Sequence, residues 1–416
     1  MASAERAGVA CNAPSSRIGA AVAAAYDSRL LAVIAVASAF WILYVALDLN
    51  RLHALREGID SGIFLQSLSN FAHTGTAFNW AEGHSHFLVH DSCTLLVLAP
   101  IVALFPAQET LIVAQVSLLA ASSVVLYLFS RTIGVSPVPA ALLSVAFLIC
   151  PSMQGFAYYD FSESHFEPVL IFALAIAAAR KNLLWTAIVA QMLLGVKEDV
   201  GFFLIWFGIA GAIWYDRRLG LTVALLAVAN VAGYYAFERL HDASPSSPHY
   251  AFAVRYPGQD LAFFIEILVP FAFAPLQLGW RCLVALPLIA ELCCATSAFP
   301  FARAGGHYTE ALVSLMGIAT AIVLVKKPRV ALWCLGLSLL MALLFNTTVL
   351  HPGRHLFAAD PHYASLSAAR STTAHMFFRI EEQGAWDVVA ADPNARIERF
   401  GTTPRYNVPA WNVRRN

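Results

Sequence analysis

Four short stretches of this sequence carry side chains able to do chemistry. The first reads Gly58-Ile59-Asp60-Ser61-Gly62-Ile63-Phe64-Leu65-Gln66. Ile59, Ile63, Phe64, Leu68 and Phe71 recur at helical spacing, which predicts an amphipathic helix along a membrane surface with Asp60 at or near its start. Two readings fit Asp60: a helix N-cap, or a general base that takes a proton from an attacking hydroxyl. The second stretch holds His86 and His90, spaced i, i+4. That spacing suits a metal ion; it also suits histidines that hydrogen-bond within the protein or touch a substrate.

The third stretch runs from Tyr158 to Pro168. As a helix it would place Asp160, Glu163 and Glu167 on one face beside His165. Such a group holds a divalent cation or tunes a pKa, or else simply opens a solvated helix whose dipole favours acids. The fourth, Lys197-Glu198-Asp199, lies between two apolar runs. Charges there must face a cavity, pair, or sit at the interface, and a plain interfacial turn is the simpler alternative. Arg255, in Arg255-Tyr256-Pro257-Gly258, offers a guanidinium to a phosphate. His307 and Tyr308 follow Gly305-Gly306, where backbone can approach a ligand closely. Either of these last two is also readable as a turn.

The elements that must position these residues follow from composition. The 416 residues are 59% hydrophobic and 12% charged, with no net charge, and the mean hydropathy is +0.65. Soluble domains carry about twice that charged fraction. So much apolar surface needs lipid as its solvent, and helices satisfy their own backbone there. The runs lack the alternation of barrel strands. An all-α polytopic membrane protein is therefore expected. No basic excess points to nucleic acid, and no P-loop, dinucleotide fingerprint, G-x-S-x-G or H-E-x-x-H is present. The seven cysteines show neither zinc spacing nor a disulfide pattern.

Apolar segments are expected at 30–47, 93–106, 109–130, 135–150, 167–179, 183–196, 200–215, 219–238, 261–279, 282–299, 308–325 and 329–347. The first continues without a polar break, as an uncleaved span rather than a signal peptide. Segment 93–106 carries Pro100 and ends at Pro106, so only partial entry is expected. Arg131, Arg180-Lys181, Arg217-Arg218, Arg281 and Lys326-Lys327 with Arg329 mark cytoplasmic connections. In a bundle of about 11–12 spans, if 93–106 does not cross fully, eleven spans place the N-terminus inside and the C-terminus outside. The connections 48–92, 151–166, 197–199, 239–260 and 300–307, which hold the reactive stretches, then share the outer face. Three regions result: a disordered cytoplasmic N-terminus (1–28), a transmembrane domain (29–347) and a small, more polar extracytoplasmic region (348–416).

Taken in order, several of these stretches resemble a known family. They are Gly58 to Gln66, Thr74-Gly75, His86-Phe87, Leu98-Ala99-Pro100 through Gln115, Asp160-Phe161 with His165, Lys197 to Val200, and His307-Tyr308. This set resembles a bacterial family of polytopic membrane proteins catalogued as domain of unknown function 2079. That family in turn is similar to the GT-C glycosyltransferases, which take polyprenyl-phosphate-linked sugars outside the membrane and place an Asp in the first outer loop. The resemblance implies a GT-C-like bundle in an inner bacterial membrane, membrane lipids as surroundings, and a polyprenyl-phosphate sugar as donor. Asp60 matches the catalytic position, as base or, with a cation such as Mg or Mn, as the carboxylate that positions the acceptor. Glu163, His165 and Glu198 are expected to join it in catalysis. Gln66, His86, Glu167, Lys197, Asp199, Arg255, His307 and Tyr308 are expected to bind substrate. No residue is assigned as a metal ligand. A lipid or polysaccharide transporter or flippase, and a non-catalytic membrane scaffold, are the competing expectations.

Overall fold

The computed structural model describes residues 28–53, 59–79, 81–241, 254, 257–294, 306–345, 396–402 and 409–414. Most of the N-terminal and C-terminal regions, and Arg255, lie outside the described residues. Among the described residues the architecture is all-α apart from two small hairpins.

α1 (Ser28–His53) opens the bundle and α2 (Ile59–Thr74) follows it. The strands β1 (Phe78–Asn79) and β2 (His84–Ser85) pair antiparallel, Phe78 opposite Ser85. A 3-10 segment, Cys93–Leu98, leads into the short α3 (Ala99–Leu104), so the expected segment 93–106 is a broken one. α4 (Gln108–Thr132) is the central pillar and packs on α1, α5 (Pro137–Ile149) and α7 (Glu167–Ala179). Its buried Ser122, Ser123 and Ser130 return their hydroxyls to carbonyls of the preceding turn at 2.6–2.8 Å, so these three hydroxyls are satisfied within the helix.

α6 (Pro151–Ala157) bends 54° away from α5. Pro151 dictates the break, because it drives Cys150 out of helical geometry to φ −65°, ψ 150°. α8 (Leu183–Leu194), α9 (Glu198–Trp214) and α10 (Arg217–Leu240) follow as tight hairpins. α9 and α10 touch backbone to backbone: a Cβ on Gly208 would stand 2.5 Å from Ala224 N, and one on Gly220 would run into the Ala212 backbone. Small residues four apart on each helix permit that approach.

α11 (Pro257–Leu268) stops at a 3-10 turn, where Ala272 and Phe273 take left-handed φ of 51° and 52°. The expected segment 261–279 is therefore broken in two. Its second part joins a 3-10 stretch (Ala274–Ala285) and α12 (Leu286–Cys293). Ser338 Oγ donates to the freed carbonyl of Pro270 at 3.2 Å. α13 (Glu310–Leu324) and α14 (Val330–Phe345) complete the bundle. Of the C-terminal region, β3 (Arg396–Thr402) and β4 (Pro409–Arg414) form an antiparallel pair.

Among the described residues four stretches are long and apolar enough to cross a bilayer: Ser28–Leu49, Gln108–Thr132, Arg217–Leu240 and Ala274–Cys293. The bent α5–α6 pair makes five if it counts as one span. Large side chains such as Ile42, Ile213, Leu225 and Trp333 point outward on the bundle, as lipid-facing residues do. The chain is a mostly helical protein of membrane type, and against the expected 11–12 spans, four or five helices among the described residues are long and apolar enough to cross. Hydropathy runs merge a helix with its apolar flanks. α8, α13 and α14, with 12–16 residues, rise only about 18–24 Å, short of a ~30 Å hydrocarbon core.

A second correction concerns α2. It is not a two-faced helix lying on a surface: both faces are enclosed by protein. Phe64, Leu65 and Leu68 are buried, and so are Ser61, Gln66, Ser67, Ser69 and Asn70. The polar side is covered because it finds partners. Asn79 Nδ2 donates to Ser67 Oγ at 3.1 Å, Asn70 Nδ2 to the Phe78 carbonyl at 2.7 Å, and Phe161 N to Ser61 Oγ at 3.3 Å.

Candidate active site

Asp60 sits in the first turn of α2 rather than capping it, since the helix already begins at Ile59. Among the other helices that begin with an acid in their first turn are α7 with Glu167, α9 with Glu198 and α13 with Glu310. Helix starts favour negative charge, so each acid is locally stable where it stands. The fold brings these starts together with the segment 158–166.

That segment is not the single helical face expected. Residues 158–162 are irregular and only Glu163–Phe166 forms a 3-10 turn, so its acids diverge. Asp160 Oδ1 accepts from Arg51 Nη2 at 2.8 Å, and Arg51 also lies 3.4 Å from Asp48 and 5.6 Å from the centre of the Tyr158 ring. Gln115 Nε2 of α4 donates to Asp48 Oδ2 at 2.8 Å and to the Tyr159 carbonyl at 3.0 Å, which fixes this segment against the central helix. Glu163 turns the other way, with Oε1 3.8 Å from Lys197 Nζ. His165 Nδ1 is hydrogen-bonded to Glu310 Oε1 at 2.6 Å, and both side chains are wholly buried. Among the described residues His165 Nε2 and Glu310 Oε2 find no hydrogen-bond partner, though both are buried.

Lys197 is the cation of the site. It is buried and its Nζ stands 4.8 Å from the centre of the Tyr308 ring, a cation–π contact. Burial pushes its pKa down, but Glu163, Asp199, Tyr308 and Glu198 outweigh that and hold it above the usual lysine range. It therefore stays charged.

Asp60 feels the opposite balance. Burial, then the charges of Asp160 and Glu163, push its carboxyl up to about 7; Lys197 pulls it down and Glu82 adds a further small push up. This carboxyl is thus near half-ionised at neutral pH, where a general base works best.

The two histidines do not form a joint metal pair. Their rings stand edge to face at 5.5 Å, each Nδ1 committed to its own glutamate: His86 to Glu82 at 3.0 Å and His90 to Glu198 at 3.0 Å. Burial disfavours charged His90, but the Glu198 hydrogen bond and charge prevail and raise its pKa. Burial likewise pushes Glu82 up, yet hydrogen bonds from His86 and Asn79 hold it below the usual carboxylate range. Glu198 Oε2 also accepts from the Asp91 backbone N–H at 3.3 Å, tying the first loop to α9. Among the described residues no group of three or more His, Cys, Asp or Glu is arranged to hold a metal ion.

Of the remaining expected site residues, Gln66 is fully buried within the packed face of α2. Glu167 is buried near Asp199, and Asp199 is hydrogen-bonded to Glu291 of α12; burial first, then neighbouring acids, raise both Glu167 and Asp199 above the usual carboxylate range. His307 begins the 3-10 turn His307–Thr309 that delivers Tyr308 to Lys197.

A family model described as a predicted membrane protein (DUF2079) matches residues 51–236. The matched segment runs from Arg51 through Asp60, the His86–His90 pair, Glu163, His165 and Lys197 to Asp199, and it stops before Tyr308 and Glu310. No curated protein and no solved structure matches the chain. Sequence reading missed Glu82, Arg51, Glu291 and Glu310. Glu310 had one signal, its position three residues after His307 at the head of an apolar run; the others had none beyond being charged.

Proposed function

We propose that the protein is a GT-C-like glycosyltransferase that moves a sugar from a polyprenyl-phosphate carrier to an acceptor hydroxyl on the extracytoplasmic face of a bacterial inner membrane. The observation that supports this reading is Asp60, a carboxyl poised near pH 7 within the same charge cluster as the buried cation Lys197. In the reaction the acceptor oxygen attacks the anomeric carbon and forms the new glycosidic bond. The bond from that carbon to the carrier phosphate breaks, and its electron pair leaves with the phosphate. Asp60 takes the proton of the attacking hydroxyl, and Lys197 offsets charge that builds on the leaving phosphate. Glu163 positions Lys197, and His90–Glu198 holds the first loop over the site.

The test is transfer from a panel of radiolabelled polyprenyl-phosphate sugars to an envelope extract, in membranes carrying the wild type or Asp60→Asn. Transfer by the wild type that is lost in the variant supports the reading. Equal transfer by both would remove Asp60 from catalysis. Carrier movement across proteoliposomes without bond cleavage would replace the reading by transport. Chelation, then return of Mg or Mn, tests whether a divalent cation takes part.

A further inference from the structure

A cavity of about 380 Å³ lies between α7, α9, α10, α11 and α13, bordering none of the residues around Asp60. Its walls are almost wholly carbon: Phe207, Leu268, Leu315 and Met316 are typical. Arg281 is the only charged residue on the wall. The cavity follows α13 from Leu312 to Ile322, about 15 Å of helix. Ile322, Leu276 and Tyr215 belong to the wall and are also exposed, so the cavity opens sideways onto the outer surface of the bundle.

Helix direction locates its mouth. α7 and α9 start at Glu167 and Glu198 by the candidate site, and the cavity takes their far ends, Ala178 and Trp214-Tyr215. Those ends carry the basic connections Arg180-Lys181 and Arg217-Arg218. Arg281 is exposed and makes no ion pair with a described residue. Four residues earlier, across the break at Gly279 (φ 61°, ψ −133°), Gln277 Oε1 accepts from Lys327 Nζ at 2.8 Å, which places a second cation against the segment that lines the cavity at Leu276 and Leu278. Trp280 stacks edge-on against Trp214 at 4.4 Å, the kind of aromatic pair that sits at headgroup level.

From this geometry we infer that the cavity is a binding site for an anionic phospholipid, one acyl chain lying along α13 and the phosphate held by Arg281. The sideways opening onto the outer surface of the bundle gives a lipid direct access to the cavity and decides the occupant. An acyl chain is slender, apolar and already the solvent around these helices. The basic rim selects the headgroup, since lysine and arginine near a bilayer surface attract anionic lipid. The site lies at the opposite helix ends from Asp60 and does not depend on sugar transfer.

The test uses the full-length protein in phosphatidylcholine vesicles containing a little phosphatidylglycerol with a photoreactive group at the end of one acyl chain. After illumination, mass spectrometry maps the attached residues. The expected result is label on Phe207, Leu315 and Met316 exceeding that on the outward Ile42 and Leu225 by about tenfold. The same label carried on phosphatidylcholine gives several-fold less. Ala319→Trp, which fills the cavity, removes this excess, and Ala178→Phe serves if that variant does not fold. Arg281→Gln leaves chain labelling but abolishes the preference for phosphatidylglycerol. Even labelling of all outward faces, equal labelling from both lipids in the wild type, or a filled cavity that labels normally would each overturn the inference.

Discussion

Lys197 Nζ lies 3.8 Å from Glu163 Oε1, and the two side chains act on Asp60 with opposite sign: Glu163 raises its pKa and Lys197 lowers it. The base strength of Asp60 is therefore set by residues from two other segments of the chain.

Transfer activity should rise with pH and reach half its maximum near 7, because the ionised Asp60 is the active form and its carboxyl is pushed up to about 7. Asp60→Asn should cost about 10²–10⁴-fold in rate. The same shift bears on stability. The folded value lies above the ordinary 3.8, so the contribution is complete below that value and is lost as pH rises through about 7. Asp60→Asn should then unfold at a higher temperature than wild type in mildly alkaline detergent, with no such gain in acid. Thermal unfolding at the two pH values checks the sign.

Substitutions at the pair should move the pH midpoint in opposite directions. Glu163→Gln removes a repelling charge, so the midpoint should fall below 7. Lys197→Met removes the attracting one, so it should climb above 7 while the rate drops. A pH–rate profile for each variant distinguishes this from simple damage, which would lower the plateau without moving the midpoint.

Glu310→Ala should be severely destabilising. His165 and Glu310 are both wholly buried and bonded at 2.6 Å, and removing one member of such a pair costs about 3–5 kcal/mol. Replacing both with apolar residues of similar volume, His165→Phe with Glu310→Leu, should recover much of the loss, as read from unfolding temperature in detergent.

Gly220→Ala should separate α9 from α10, since its Cβ would meet the Ala212 backbone. Overpacking of this sort costs about 1–3 kcal/mol. Gly233→Ala on the same helix has open space around it and should leave stability unchanged or slightly improved. The two unfolding curves, compared side by side, check the assignment.

The class of this protein was legible from composition alone, because 59% hydrophobic residues with 12% charged can be solvated only by lipid. The helices at 109–130, 167–179, 183–196, 200–215 and 219–238 were legible too, close to their observed limits, since apolar runs and flanking charges are local signals. So were the reactive stretches around Asp60, Glu163 and Lys197, because charged residues beside apolar runs need a reason to be there. Only the tertiary structure decided what those residues meet. Asp160 goes to Arg51 and Glu163 to Lys197 because the chain at 158–162 does not continue as a helix. α2 is buried on both faces because β1 and the segment before Glu163 supply partners for its serines and asparagines. Glu310 meets His165 across 145 positions of sequence, a distance that no pattern of spacing encodes. The pKa of Asp60 belongs to this second group. A carboxyl's charge depends on solvent and neighbours, and both are fixed only when α2, the 158–166 segment and the start of α9 pack against one another.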